Sequence, residues 1–506
     1  MKRIYVSAIL VICTVICALL PGCVNKEKVE SNVIDAESRN ENEPILLTVL
    51  TEPTTWSQTY DLLGKDSPSE VTRNLQNIIS YYESENPNVS IELEVMPKTT
   101  NERNYYITQK RVSLMAGKTP DIYLMPTVST DEVNISKKER KDYEPLFRDV
   151  GQAQTNHWFA DVSSYYDADQ DLHTEELQQA IMNAGKVGDA RYILPLGYSF
   201  DVLVTDKDLL SQEKLDAEKM CKSSLDLFGS LIDIGEARWL PDLYFGSLPL
   251  NYLPSLCDYN SEKVNLQEQD LTQLLEVLNK IYYPQIEYLL TLDQTKFGDW
   301  EMYLYDSKIE PYINETTPAR IDSLSNIMKY LPTAKCSGKK LEVIPVTATD
   351  GSLCANITYW GAVGANCQNV KAAYDFLRTF LLPEVQYGED LVGRKHYSTR
   401  FEHGIPGWPV RYKGFAEKRW NDIFASMESM EHPVESRWEK MRGTDISDED
   451  LPVLDFPITS ARFPSVLDQD LFEALSPLWD SPASDEDLKQ ISADFVRNLK
   501  YHLAEG

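Results

Sequence analysis

Six histidines occur among 506 residues, and none falls in an H-E-x-x-H arrangement; the G-x-S-x-G of an activated serine is also missing. Zinc-peptidase and serine-hydrolase chemistry thereby lose the local patterns that usually place their metal or nucleophile. No C-x-x-C and no Cys/His spacing suits a zinc site. Gly117-Lys118-Thr119 imitates the tail of a phosphate-binding loop, but that motif needs glycine at position 112, where valine stands, and the helix precedes the glycine instead of following it. Nucleotide binding is excluded there. Positive charge is scarce as well: 49 Lys and Arg against 79 Asp and Glu leave a net charge of −30. Such a field repels nucleic acid and anionic membranes and favours a neutral or cationic solute.

What is present begins with a leader. Lys2 and Arg3 precede an uncharged apolar run, residues 4–20, which ends in Pro21-Gly22-Cys23. This is the layout of a secretory signal. An uncleaved anchor helix competes, although seventeen residues at about 1.5 Å each barely span a bilayer. Leu20-Pro21-Gly22-Cys23 resembles the lipobox of bacterial lipoproteins, with proline where a small residue is usual. The resemblance implies a leader of residues 1–22, removed by cleavage, and a diacylglyceryl group on Cys23. Two acyl chains anchor stably where one would exchange. Residues 23–44 are polar and lack an apolar period, so they read as a flexible tether. Both readings of the leader put the bulk of the chain outside the membrane.

Removing residues 1–22 from 506 leaves 484 residues, too many for one small core, and takes the net charge to about −32 because Lys2 and Arg3 go with the leader. Of eight cysteines, Cys13, Cys17 and Cys23 belong to the leader and anchor; Cys221, Cys257, Cys336, Cys354 and Cys367 remain. Five thiols cannot all pair, so they read as mostly buried, with at most one or two bridges.

Order begins with "ILLTVLTEP", which has the length and flanks of a buried strand. Ser67 and Glu70 then form a capping box with Pro68 at the first helical position, and Val71, Leu75, Ile78, Ile79 and Tyr82 make one helical face. Asn86-Pro87 ends that helix and "VSIELEV" alternates as a strand, giving a β-α-β unit and a parallel sheet. A second helix runs to Met115, Gly117 stops it, and "DIYLM" is the next strand. Asp167, Asp169 and Asp171 imitate a calcium loop, but Leu172 holds the position of its glycine and Gln178 that of its final Glu. A solvated acidic turn fits better.

These residues carry a resemblance. "LMAGKTPDIYLM" resembles the a-G-k-x-P-D-i signature of extracellular solute-binding proteins of ABC importers, family 1, which is dominated by sugar binders. "YILPLGYSFDVLVTDKDLL" (192–210), "VIPVTATDG" (343–351), "NVKAAYDFLRTFLLPEVQ" (369–386), "GIPGWPVR" and "SDEDLKQISADFVRNLKYHLAE" resemble further family segments in the family's order. Thr205-Asp206-Lys207 stands where Tyr-Asn-Lys is usual. The resemblance implies an α/β, two-lobe periplasmic-binding-protein-like fold of type II, each lobe a mostly parallel sheet flanked by helices, with a hinge of crossing segments. Lobe 1 would take residues 45–200 and 345–405, and lobe 2 residues 201–344 and 406–506. Binding would favour the closed state, which the permease reads.

A sugar ring offers C–H faces to aromatic rings and hydroxyls to paired donors and acceptors. On the family's pattern the ligand-binding candidates are Thr55 and Trp56 after the first strand, Tyr198 and Ser199 at the first crossing, Tyr359 and Trp360 in the returning segment, and Arg462 and Phe463 near the late cleft aromatic. Met125 stands where many sugar binders place an aromatic. Each has a plainer reading, since a lone Trp is as often core or rim packing, Trp408 more so, and Arg462 equally suits a surface ion pair. The expected function is a monomeric, lipid-anchored receptor that delivers a carbohydrate to an ABC permease, on the outer face of a bacterial membrane without an outer membrane. No catalytic step, cofactor or metal is expected. A surface glycan hydrolase stays open because 79 acidic residues guarantee accidental carboxylate pairs, and a sensory or structural surface lipoprotein stays open beside it.

Overall fold

The first described strand is β1 (Ile45–Thr51), whose alternate and then continuous burial matches an apolar run entering a sheet from its edge. The computed structural model describes residues 43–52, 70–97, 100–127, 144–241, 249–259, 261–291, 318–324, 340–386, 408–411, 454–475 and 482–504. Cys23, Thr55, Trp56, Ser67, Pro68 and Cys336 lie outside them, as does the side chain of Val71. Helix α1 (Glu70–Glu85) buries Leu75, Ile78, Ile79 and Tyr82, the expected face, and leads into β2 (Val89–Val95). β1 and β2 pair in parallel from Ile45↔Val89 to Thr51↔Val95, so the β-α-β reading is borne out.

Helix α2 (Thr100–Met115) stops where expected. Gly117 adopts φ +76°, a backbone that side-chain-bearing residues rarely hold, and Lys118 N donates to Ser113 O. β3 (Ile122–Pro126) follows and joins β1 in parallel on the side away from β2. The short helix α3 (Val150–Thr155) is capped by Asp149, whose carboxylate accepts from Gln152 N.

Strand β4 (Leu194–Ser199) lies in the same sheet, while β5 (Asp201–Asp206) lies in another, so the chain changes sheet across the single residue Phe200. β5 is flanked by β6 (Ala319–Ser323) and β7 (Leu341–Pro345). Between β5 and β6 the long helix α4 (Glu268–Thr291) packs its Leu271, Leu274, Leu275 and Leu278 inward. After β7 the chain returns to the first sheet as β8 (Cys354–Val363), then forms helix α5 (Val370–Thr379) and the short strands β9 (Trp408–Pro409) and β10 (Ser460–Arg462). Helices α6 (Val466–Leu475) and α7 (Asp485–Ala504) close the described chain. The first sheet runs β9-β4-β8-β3-β1-β2, with β10 paired to β8.

The fold is mixed α/β, with parallel β1/β2, β1/β3 and β8/β10 pairs beside antiparallel β8/β3 and β8/β4. Among the described residues the second sheet departs from a parallel pattern: both β6 and β7 pair antiparallel to β5. Both neighbours of β5 come from segments far later in the chain, and connections of that length can return a strand in either direction. Residues 45–506 form one compact unit, and no helix of the described residues is long and apolar enough to cross a membrane.

The acidic turn after residue 167 is structural. Asp169 accepts from Leu172 N at 3.1 Å, from Tyr374 Oη at 3.0 Å and from Arg378, while Asp171 points to solvent. No group of metal-ligating side chains is assembled among the described residues.

Candidate functional site

The crossing between the two sheets gathers polar side chains. Ser199, the last residue of β4, stands opposite Asn356 of β8, and Asn356 stands opposite Arg462 of β10. Directly opposed residues of neighbouring strands project to the same side, so these three form a polar row across β4, β8 and β10. All three are partly buried.

Each member is held by a second residue. Ser199 Oγ lies 2.7 Å from Ser323 Oγ at the end of β6, so one hydroxyl of each sheet meets the other. Asn251 is the hub: its Oδ1 accepts from Asn356 Nδ2 at 2.9 Å and from Arg462 Nη2 at 3.0 Å, and its Nδ2 donates to Asp201 Oδ2 at 3.3 Å. Asp468, buried at the start of α6, takes both terminal nitrogens of Arg462 at 2.6 and 3.2 Å and also accepts from Ser465 N. Burial acts to lower the Arg462 pKa, but the charge and hydrogen bonds of Asp468 overcome it, so the guanidinium is held above its ordinary value. The guanidinium therefore stays charged at any ordinary pH, and it lies against a carboxylate.

That arrangement can bind by hydrogen bonding, and among the described residues it holds no activated nucleophile. The described partner of Ser199 is another hydroxyl, not a base. Burial raises the nearby Cys354 and pushes Cys257 up to about 11, which disfavours the thiolate near neutral pH. Cys221, Cys257, Cys354 and Cys367 are all free.

The aromatic candidates lie behind the row. Tyr198 is buried, paired with Trp408 across β4 and β9, and stacks beside Phe200 at 6.4 Å. Trp408 is buried with it. Tyr359 and Trp360 are 0 % and 1 % exposed, so neither presents a ring face to solvent in this arrangement. Trp360 sits among Phe159 at 5.6 Å, Phe147 at 6.1 Å and the buried Phe463 at 6.4 Å, and Met125 is its cross-strand neighbour. The β8/β4 register shifts twice between Ile357 and Trp360, an irregularity of the kind that re-aims side chains.

Sequence reasoning named Ser199 and Arg462 and missed Ser323, Asn251, Asn356 and Asp468. Asn356 stands within "NITYW", so its position was within reach. Asn251, Ser323 and Asp468 meet the row from distant segments with no motif to mark them.

No family model matches the sequence and no curated protein matches it. Solved structures match in number. The sugar-binding protein MalE from Xanthomonas citri is similar at 11% identity over 91% of this chain and 98% of that one, with a TM-score of 0.52. An extracellular solute-binding protein of family 1 from Alicyclobacillus acidocaldarius matches at 13% identity over 91% and 99% with a TM-score of 0.48. The galacto-N-biose-/lacto-N-biose I-binding protein of the ABC transporter from Bifidobacterium longum matches at 12% over 91% and 99%, also at 0.48. The chain has the type II periplasmic-binding-protein fold, the fold of the extracellular solute-binding proteins it resembles in sequence.

Proposed function

We propose that this chain is a solute-binding protein, anchored to lipid through Cys23, that captures a carbohydrate between two lobes and hands it to an ABC importer without chemical change. The observation that carries this reading is the fold, matched over 91% of the chain to a protein whose own description is sugar-binding. The lobes are residues 45–200 with 345–405 and residues 201–344 with 406–506, so the chain passes from one to the other at Phe200, at the end of β7 and between residues 405 and 406. Strands β9 and β10, from the second group, reach across to the first sheet, and β10 brings Arg462 to the crossing.

Ser199 and Arg462 are the proposed ligand contacts, with Asn356 between them. Tyr198, Tyr359, Trp360 and Phe463 form the packed wall beside the row, while Thr55 and Trp56, which follow β1 in sequence, remain further candidates. An ion pair and amide and hydroxyl groups suit a polyhydroxylated neutral solute better than an acid, whose charge would need an unpaired cation. The net charge of −30 argues the same way.

A ligand that binds only the folded chain must raise its melting temperature, by about 2.7 kcal/mol of stabilisation at a hundredfold excess over Kd. In a thermal-shift screen of mono- and oligosaccharides, with amino acids, peptides and polyamines as controls, one sugar class should shift the transition and reappear unaltered on chromatography. No shift across the sugars would sink the carbohydrate assignment. Anchoring has a separate test: in cells expressing the Cys23→Ser chain, the protein should leave the membrane fraction and appear in the medium. Retention at the wild-type level would mean that the leader itself is the anchor.

A further inference from the structure

Asp149 does more than cap its own helix. An N-cap needs one carboxylate oxygen, and Oδ1 serves Gln152 N at 3.1 Å. The other oxygen, Oδ2, is used twice by distant parts of the chain: Tyr259 Oη donates to it at 2.6 Å, and His502 Nε2 lies 3.0 Å away. The Asp149 side chain is only 1% exposed, and His502 is largely covered. Burial and the charge of Asp149 push the Tyr259 pKa far up, so Tyr259 remains a hydrogen-bond donor.

Three more contacts surround this one. Gln152 Nε2 donates to His502 O at 3.4 Å, Val466 N donates to Arg148 O at 3.1 Å, and the Tyr259 ring lies so close to Gly151 that a Cβ there would meet it at 2.7 Å. Tyr259 belongs to the short hairpin of Cys257–Asp258 and Lys263–Val264, and His502 to the last turn of α7, which packs on that hairpin and on α4. Residues 148–152 thus grip three elements that share no neighbourhood in sequence with them. On the lobe boundaries proposed above, on which this inference rests, every one of these contacts joins lobe 1 to lobe 2.

We propose that residues 148–152 with Tyr259, Val466 and His502 form an inter-lobe latch, in which Asp149 of one lobe clasps Tyr259 and His502 of the other and holds the lobes in the arrangement described here. A latch of this kind sets the fraction of molecules in the other lobe arrangement, and the apparent affinity for solute scales with the competent fraction. It is bistable, since its hydrogen bonds are either made or broken as the hinge turns.

The test needs no solute. Tyr259→Phe keeps the ring and removes only the hydroxyl, leaving the Asp149 cap intact; Gly151→Ala drives a methyl group against that ring. Hydrogen exchange and small-angle scattering are recorded on the purified full chain of wild type and of each variant. The latch predicts that Tyr259→Phe speeds exchange about tenfold at the Val466 amide and in the peptides over 148–152 and 499–504, with β1 and β2 unchanged, and that both variants alter the scattering curve. Faster exchange confined to the hairpin around Tyr259, or an unaltered scattering curve, overturns it. Because the readout is ligand-free, failure of the latch and failure of the sugar assignment are separate results.

Discussion

Glu52→Gln destabilises the chain by about 3–5 kcal/mol, read as a shift of the urea midpoint at unchanged slope. Glu52 follows β1 directly and Arg103 lies in the first turn of α2; they are 2 % and 1 % exposed and meet in a two-pronged pair, each guanidinium terminus on a different carboxylate oxygen. Arg103 also lies against Met96 Sδ at 3.6 Å, so sulfur and hydrocarbon make up part of its remaining surroundings. Desolvating both ions is offset in large part by their mutual attraction. Glutamine keeps the shape and one acceptor but removes the carboxylate charge that faces a buried cation at both guanidinium termini, which is the costly half of breaking such a pair. The double variant Glu52→Leu, Arg103→Met removes both charges, and it should recover most of the loss. A double variant as weak as the single one would show that the pair's geometry, not its charge balance, holds this corner.

That pair also marks where the sequence stops being readable. The β1, α1 and β2 elements were legible because each carries a periodic apolar signal over a short window: Leu75, Ile78, Ile79 and Tyr82 lie on one helical face whatever the rest of the chain does. Gly117 was legible for a similar reason, since the turn demands a positive φ and few residues supply it. Glu52 and Arg103 are 51 residues apart, and nothing local distinguishes a glutamate that will be buried from the many that will not. The same holds for Asn251, which joins the polar row only because the crossing brings β8, β10 and the start of β5 to it. The fold followed from ordered motifs, and the site did not, because its partners are set by the tertiary arrangement.

Trp360 shows the limit from the other side. A tryptophan in the returning segment of a type II periplasmic-binding-protein fold invites a stacking role, yet strand alternation fixes a side chain's direction only while the register holds, and here it shifts between Ile357 and Trp360. The indole lies in a cage of Phe147, Phe159 and Phe463, and its N–H is buried without a hydrogen-bond partner among the described residues.

Trp360→Ala should therefore cost about 3–5 kcal/mol, the loss of a large buried ring together with the cavity it leaves. Trp360→Phe should cost far less, within about 1.5 kcal/mol: it keeps most of the aromatic packing and removes a donor that pays a desolvation penalty for no bond. Denaturant unfolding of the two variants, with calorimetric titration of any sugar that shifts the melting curve, separates packing from recognition. If the ring is wall, affinity for the sugar is retained in the phenylalanine variant and stability falls steeply only in the alanine one. If both variants stay within about 1 kcal/mol of wild type while sugar binding disappears, the ring must leave its cage when solute enters. The cleft would then be completed by a side chain that the solute-free arrangement keeps in the core.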